Sequence, residues 1–318
     1  MRAKRFRQSL NRRSCLGNLG FLAGLGFFAM TASRPVLAAR PLVVASKSDT
    51  EGALTGAMIA LVLEQLGLPV ERRLGLGPTL IVRSALLSGD VDVYPEYTGN
   101  GAFFTGTEAD PVWRTSQSAF DTIAHSDSGR GLVWLDRAPA NNTWLIAVQG
   151  DLARREGLAT MADFAGAVRR GLIRLAASTE FVESPAALPS FEAAYDFRMS
   201  HDRIISLPGG DTAVTARAAA QGISGVNAGM VYGTDGALSA LDLVVMGDPK
   251  GAQIVYEVAP VIRTSTLDRD PRIRPSLAAV FRGLDAMTLR GLNAAVSVEG
   301  EPPEAVAEQY LRRRGLIG

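Results

Sequence analysis

Between residues 41 and 94 the chain alternates short apolar runs with helical periods, at a spacing that leaves few architectures open. Residues 41–45 form an apolar run of strand length. Ser48 and Glu51 stand at capping-box spacing and predict a helix to about Leu66. Leu54, Met58, Leu61, Val62 and Leu66 follow at helical intervals, and Gly67 is its stop. Residues 70–74 read as a second strand, Gly75-Leu76-Gly77-Pro78 as a turn, 80–87 as a second helix and 91–94 as a third strand. A β-α-β-α-β series with connections this short requires parallel strands and right-handed crossovers, so the class is α/β. Pro95 has no N–H for a sheet and predicts that the third strand stops there. Glu96, Tyr97, Thr98, Gly99 and Gly101 then sit on a loop at the carboxyl end of a strand, where open α/β sheets bind ligands. The loop reads as one wall of a small-molecule site, or as a surface turn with a packing tyrosine.

A length of 318 residues suffices for two domains, each with a core. The first 38 residues stand apart. Six basic residues precede an apolar run at about 16–30, and Val36-Leu37-Ala38 offers a cleavage site before Ala39. That is the pattern of a secretory signal, and the run is short and glycine-rich for a membrane span. The Arg12-Arg13 pair loosely resembles a twin-arginine signal, and Sec export stays open. The formal charge of +1 includes seven basic residues and no acid within 1–38, so the remainder carries −6. An acidic remainder has no electrostatic footprint for nucleic acid. Cys15 is the only cysteine and lies in the leader, which excludes a disulfide, a thiol nucleophile and a cysteine metal site from residues 39–318.

Farther along, 103–137 has a weaker pattern. Strands are predicted at 144–148, 173–176, 204–207, 226–232, 243–246 and 255–263. Helices are predicted at 161–170, 191–195 and from Gly209-Gly210-Asp211-Thr212 through Ala220, with two more, 275–287 and 302–314, closing the chain. Residues 178–189 read as a loop. A unit at 147–254 is thus inserted into one made of 39–146 and 255–318, with strands near 144–148 and 255–263 crossing between them. Two lobes joined in this way can hinge shut on a ligand.

Enzyme signatures are sparse. The two histidines, His125 and His201, lie in polar contexts, and zincin, nucleophile-elbow, P-loop and dinucleotide motifs are missing. Glu96 has the chemistry of a catalytic acid but no identifiable partner, and a bracing role suits it better. What recurs is aromatic residues at element ends: Tyr97, Trp144 after Asn141-Asn142-Thr143, and Tyr232 before Gly233-Thr234-Asp235-Gly236. Rings converging on a cleft attract an organic cation. The alternative is that all three anchor the core.

Five segments in order carry a resemblance: Ser46-Lys47-Ser48-Asp49-Thr50-Glu51, Tyr94-Pro95-Glu96-Tyr97-Thr98-Gly99-Asn100-Gly101, Ala140-Asn141-Asn142-Thr143-Trp144, Tyr232-Gly233-Thr234-Asp235-Gly236 and Ala259-Pro260-Val261-Ile262-Arg263. Together they resemble the substrate-binding proteins of glycine betaine/choline/carnitine ABC importers, in their OsmF/YehZ-like osmoprotectant branch, over nearly all of 41–318. The resemblance implies a two-lobed type II periplasmic binding protein fold with a hinge of two crossing strands. It implies a quaternary-ammonium osmolyte as ligand, an ABC permease with its ATPase subunits in the inner membrane as partner, a periplasmic monomer, no cofactor and no catalysis. The positions matching family cage residues are Tyr97, Trp144 and Tyr232. Lys47 matches a carboxylate-binding lysine, Asn100 stands where relatives carry threonine, and Asn142 matches a position beside the cage. Two departures matter. The helix read from Asp211 to Ala216 lacks the family's further cage tyrosine, leaving Thr212 and Asp211 to supply hydrogen bonds. Ser184 follows Glu180-Phe181-Val182-Glu183 where relatives carry an arginine for the ligand carboxylate. Glycine betaine would then bind weakly, or the ligand is a different zwitterion or amino-acid-like solute. A secreted enzyme using Glu96 or Asp235 is the reading from another class.

Overall fold

Alternating apolar runs and helices build two five-stranded sheets. The computed structural model describes residues 40–207 and 212–318; the leader read at 1–38 and Gly209, Gly210 and Asp211 lie outside them. Among the described residues the strands in chain order are β1 (Leu42–Lys47), β2 (Val70–Gly77), β3 (Val93–Tyr97), β4 (Leu132–Trp134), β5 (Trp144–Gln149), β6 (Leu175–Ser178), β7 (Ile204–Leu207), β8 (Ala228–Tyr232), β9 (Leu243–Val245) and β10 (Val258–Arg263). The first sheet has the order β2-β1-β3-β10-β4 and the second β7-β6-β8-β5-β9. β1 runs parallel to β2 and β3, as the opening pattern requires, and β10 is antiparallel to β3 and β4. In the second sheet β6 is parallel to β7 and β8, and β5 is antiparallel to β8 and β9. Each sheet therefore reverses its winding once, between β1 and β3 and between β6 and β8. Ligands bind at the carboxyl ends of strands at such points.

Period-two alternation fills two cores around the first sheet. Leu42 and Val44 pack with the helix Thr50–Gln65, while Val43 and Ala45 pack with Val82 and Leu86 of the helix Thr79–Ser88. Each fully buried aliphatic chain contributes about 1.5–3 kcal/mol relative to exposure, which fixes β1 and its terminal Lys47 in place. The second sheet has its own core, in which Ile146, Leu175 and Met230 meet Phe164, Phe181 and Phe191.

The structure departs from the sequence reading in places that bear on the site. β3 runs through Pro95 to Tyr97. Pro95 and Pro260 are register partners, and the Pro260 carbonyl accepts from Leu135 N on the opposite side of β10. The two prolines therefore face each other at a pair that exchanges no hydrogen bonds, where a missing N–H costs nothing. β2 also continues past residue 74 to Gly77. Gly75 takes φ +68 and donates its N–H to Ser46 Oγ at 2.9 Å, which carries the pairing past an irregularity in β1. The first helix is capped by Asp49, whose Oδ1 accepts from Gly52 N at 2.7 Å, rather than by Ser48. Three helices close the chain, Ile273–Phe281, Ala286–Ser297 and Pro303–Arg313, because Asp285 accepts from Thr288 N and starts a helix inside the expected 275–287 span. β5 and β10 lie one in each sheet, so the crossings are the extended segments just before them. Asn142 N donates to Tyr256 O, Tyr256 N to Asn141 Oδ1, and Thr143 Oγ1 to Ile254 O.

Candidate functional site

A cavity of about 700 Å³ opens where the two winding reversals meet, and all seven sequence-predicted site residues line it. Lys47 ends β1, Tyr97 ends β3 and Asn100 starts the helix Asn100–Thr105. Asn142 precedes Trp144, the first residue of β5, while Thr212 starts the helix Thr212–Gln221 and Tyr232 ends β8. His125 and His201 are exposed and outside the lining. No group of three or more metal-ligating side chains occurs among the described residues.

Glu96 is fully buried and holds one side of the cavity together. Its Oε1 accepts from Lys47 Nζ at 2.8 Å, Asn100 Nδ2 at 2.7 Å and Tyr97 N at 2.7 Å, and its Oε2 from Tyr94 Oη at 2.7 Å. Four donors occupy the carboxylate, which makes it a brace. Behind it, Arg83 pairs with Asp127 at 2.6 Å. Lys47 is thereby held with its ammonium 4.2 Å from the centroid of the Tyr97 ring. Lys47, the one lysine of the lining among the described residues, already has a carboxylate and an aromatic face as neighbours.

Glu51 was not expected here. Its Oε1 accepts from Tyr97 Oη at 2.8 Å and its Oε2 from Asn293 Nδ2 at 2.7 Å, and Asn293 also donates to Thr234 O at 2.8 Å. Among the described residues Glu51 has no ion-pair partner. Burial pushes its carboxyl above the usual carboxylate range, against the hydrogen bonds from Thr234, Tyr97 and Asn293 that favour the ionised form. A raised folded pKa favours the protonated form in the native state. The associated stability is full below the ordinary carboxylate range and is lost as pH rises through the raised value. Glu51→Gln is therefore expected to remove this component of the fall in stability on going from mildly acidic to alkaline pH, read as urea midpoints across that range. A variant with the same pH slope as the parent would contradict the assignment. The missed signal was Asp49-x-x-Gly52. With Asp49 as the cap, Glu51 is free to turn inward.

The rings are arranged by sheet register. Trp144 and Tyr232 are direct cross-strand partners, so their side chains share a face. They stack at 6.4 Å between centroids and 22° between planes, and Phe181 meets Trp144 edge-on at 6.1 Å. Trp144 is thus both a core anchor and a wall of the cavity. Tyr256, absent from the sequence reading, lines the same cavity. It fits because Gly99 has no side chain: a Cβ there would sit 2.7 Å from the Tyr256 ring. Burial, then the neighbouring Tyr232, Glu180 and Glu96, push its phenol up. Asn142 Oδ1 and Asn293 Oδ1 are buried without a hydrogen-bond partner, and Trp144 Nε1 lies near the Tyr232 phenol without a well-formed bond. Buried polar atoms left in this way at a cavity wall suit a ligand's own polar groups.

Two α/β sheets whose winding reversals share one aromatic cavity define a two-lobed solute-binding protein of the type II periplasmic class. The family model for the substrate binding domain of the ABC-type glycine betaine transport system matches residues 40–313, and the chain belongs to that family. It is 49% identical over 274 residues to the glycine betaine-binding protein YehZ of Escherichia coli K12, covering 86% of this chain and 90% of that one. The solved structure of apo YehZ matches with a TM-score of 0.78 over 87% of this chain and all of that one. The ergothioneine transport permease/ergothioneine binding protein EgtU of Helicobacter pylori is 30% identical over 86% of this chain, which spans 48% of that protein.

Proposed function

We propose that this chain captures a quaternary-ammonium compatible solute such as glycine betaine, and hands it to an ABC permease and its ATPase subunits. The observation that carries the reading is the convergence of Tyr97, Trp144 and Tyr232, from three strands of two sheets, on one cavity. Aromatic faces contribute about 0.5–2 kcal/mol each toward a cation, more as water is excluded. The lobes we assign are 39–146 with 255–318, and 147–254, closing about the paired segments at 141–143 and 254–257. Residues 1–38 act as an export leader, and the protein works as a periplasmic monomer without cofactor or covalent chemistry. Glu96, with four donors on its carboxylate, supports binding over catalysis.

Glycine betaine is expected to bind weakly. The helix Thr179–Glu183 adds Glu180, an acid, to the lining, and Ser184 stands where relatives carry an arginine. Lys47, the residue left for a ligand carboxylate, is tied to Glu96. These same facts favour a different zwitterion as the second reading. Thermal unfolding against glycine betaine, choline, carnitine, ergothioneine and ordinary amino acids separates the two. A ligand at about 100 times its Kd stabilises the fold by roughly 2.7 kcal/mol, an upward shift of a few degrees. Stabilisation by an ordinary amino acid alone would discard the quaternary-ammonium class.

A further inference from the structure

Resting on the quaternary-ammonium reading, we infer that the cavity selects its ligand by net positive charge. It favours a quaternary ammonium whose far end bears an amine over one whose far end bears a carboxylate. Asp49, Glu51, Glu180 and Asp235 line the cavity, against a single lysine or arginine among the described lining, Lys47. Glu96 already neutralises that lysine at 2.8 Å. Arg290, close by, donates to Gly233 O at 2.8 Å and is not part of the lining.

These acids are held in place for local reasons. Asp49 caps a helix, and Asp235 Oδ2 accepts from Tyr232 N at 2.7 Å. Glu51 receives only neutral donors, Tyr97, Asn293 and Thr234, and has no ion-pair partner among the described residues, so no counter-charge there offsets the burial that raises its carboxyl. A ligand cation beside it would supply the missing counter-charge and favour its ionised form. The phenols of the wall register the same field. Burial raises Tyr97 and Tyr232 first, and the next charges acting on them are Glu51 and Asp49 for one, Glu180, Asp235 and Asp49 for the other.

A second observation is independent of charge. Asn293 is 5% exposed and its Oδ1 has no partner, while its Nδ2 is committed to Glu51 and Thr234 O. Turning the amide over would set oxygen against oxygen at both, so the orientation is fixed. Asn142 Oδ1 is a second unpartnered acceptor of the lining. An ammonium N–H satisfies such acceptors, and a carboxylate oxygen is repelled by them. The volume leaves room for a far end beyond a trimethylammonium head.

Isothermal titration of the purified protein with aminopropyl-trimethylammonium, choline and glycine betaine tests this. These are a dication, a monocation and a zwitterion sharing one head. The expected order is dication, then choline, then glycine betaine, at about tenfold in Kd per step at low salt. Raising the salt is expected to compress the series. Glu180→Gln, at an exposed residue that belongs to none of the cores, is expected to narrow the lead of the dication over betaine several-fold. A flat or reversed order overturns the charge selection and leaves the quaternary-ammonium reading standing. No binding by any of the three overturns both. A lead unchanged in both Glu180→Gln and Glu51→Gln overturns the assignment to these carboxylates.

Discussion

Glu96→Ala is expected to destabilise the protein by about 3–5 kcal/mol, the scale seen when one partner of a buried ion pair is removed. Glu96 is fully buried and accepts from Lys47, Asn100, Tyr97 N and Tyr94. Truncation leaves the Lys47 ammonium, 8% exposed in its side chain, without its counter-charge. It also leaves three neutral donors without acceptors, and each unsatisfied buried group costs about 1–3 kcal/mol. The expected figure lies below the sum of those costs because Lys47 retains the Tyr97 ring and all four donors can recruit water. Urea unfolding reads the effect as a lower midpoint at unchanged slope. A loss within about 1 kcal/mol would show that the network is dispensable and that Lys47 is held by something else. Glu96→Gln keeps the shape and two acceptor lone pairs, so its cost is expected to fall between parent and alanine variant.

The same carboxylate shows where sequence reading succeeds and where it stops. β1, β2 and β3 were legible because short connections and strand-length apolar runs allow one arrangement, a parallel sheet whose carboxyl ends lie side by side. That arrangement puts Lys47 and Tyr97 at one edge, although Lys47 itself was legible only through the family resemblance. Trp144 and Tyr232 were legible as aromatics at element ends, but their side-by-side stacking was not. It depends on β5 and β8 pairing in antiparallel register, Trp144 with Tyr232, between strands remote in sequence. Glu51 was hidden by two overlapping capping patterns, of which Asp49 won. Asn293 was hidden because Asp285 starts a helix inside what reads as a single longer one. Tyr256 was hidden because nothing local says that Gly99 exists to admit its ring. In each missed case the decisive partner is remote in sequence or is a choice between two local patterns of similar strength. Pro95 went wrong for a related reason. Proline is excluded from a ladder only where its N–H would be used, and that depends on the register with β10.

Trp144→Ala is expected to weaken binding of any quaternary-ammonium ligand by about ten- to thirtyfold, the equivalent of losing roughly 1.4–2 kcal/mol of contact with a desolvated ring. The same change removes a large buried side chain, with its edge contact to Phe181 and its stack on Tyr232, at a cost to folding of about 3–5 kcal/mol. The two losses must be separated, because a partly unfolded sample also binds less. Trp144→Phe does so. It keeps a ring on the shared face of β5 and β8 and keeps a contact for Phe181, while removing the indole N–H and part of the π surface. Core anchoring alone predicts that Trp144→Phe and the parent bind alike and that Trp144→Ala binds normally once correction is made for the folded fraction. A cage wall predicts a graded loss, small for phenylalanine and large for alanine, among molecules that are folded by near-UV circular dichroism. A Trp144→Ala protein that is folded and binds within twofold of the parent would remove Trp144 from the site. The ligand contacts would then rest on Tyr97, Tyr232 and Tyr256, with Trp144 acting as a wedge that sets the angle of Tyr232.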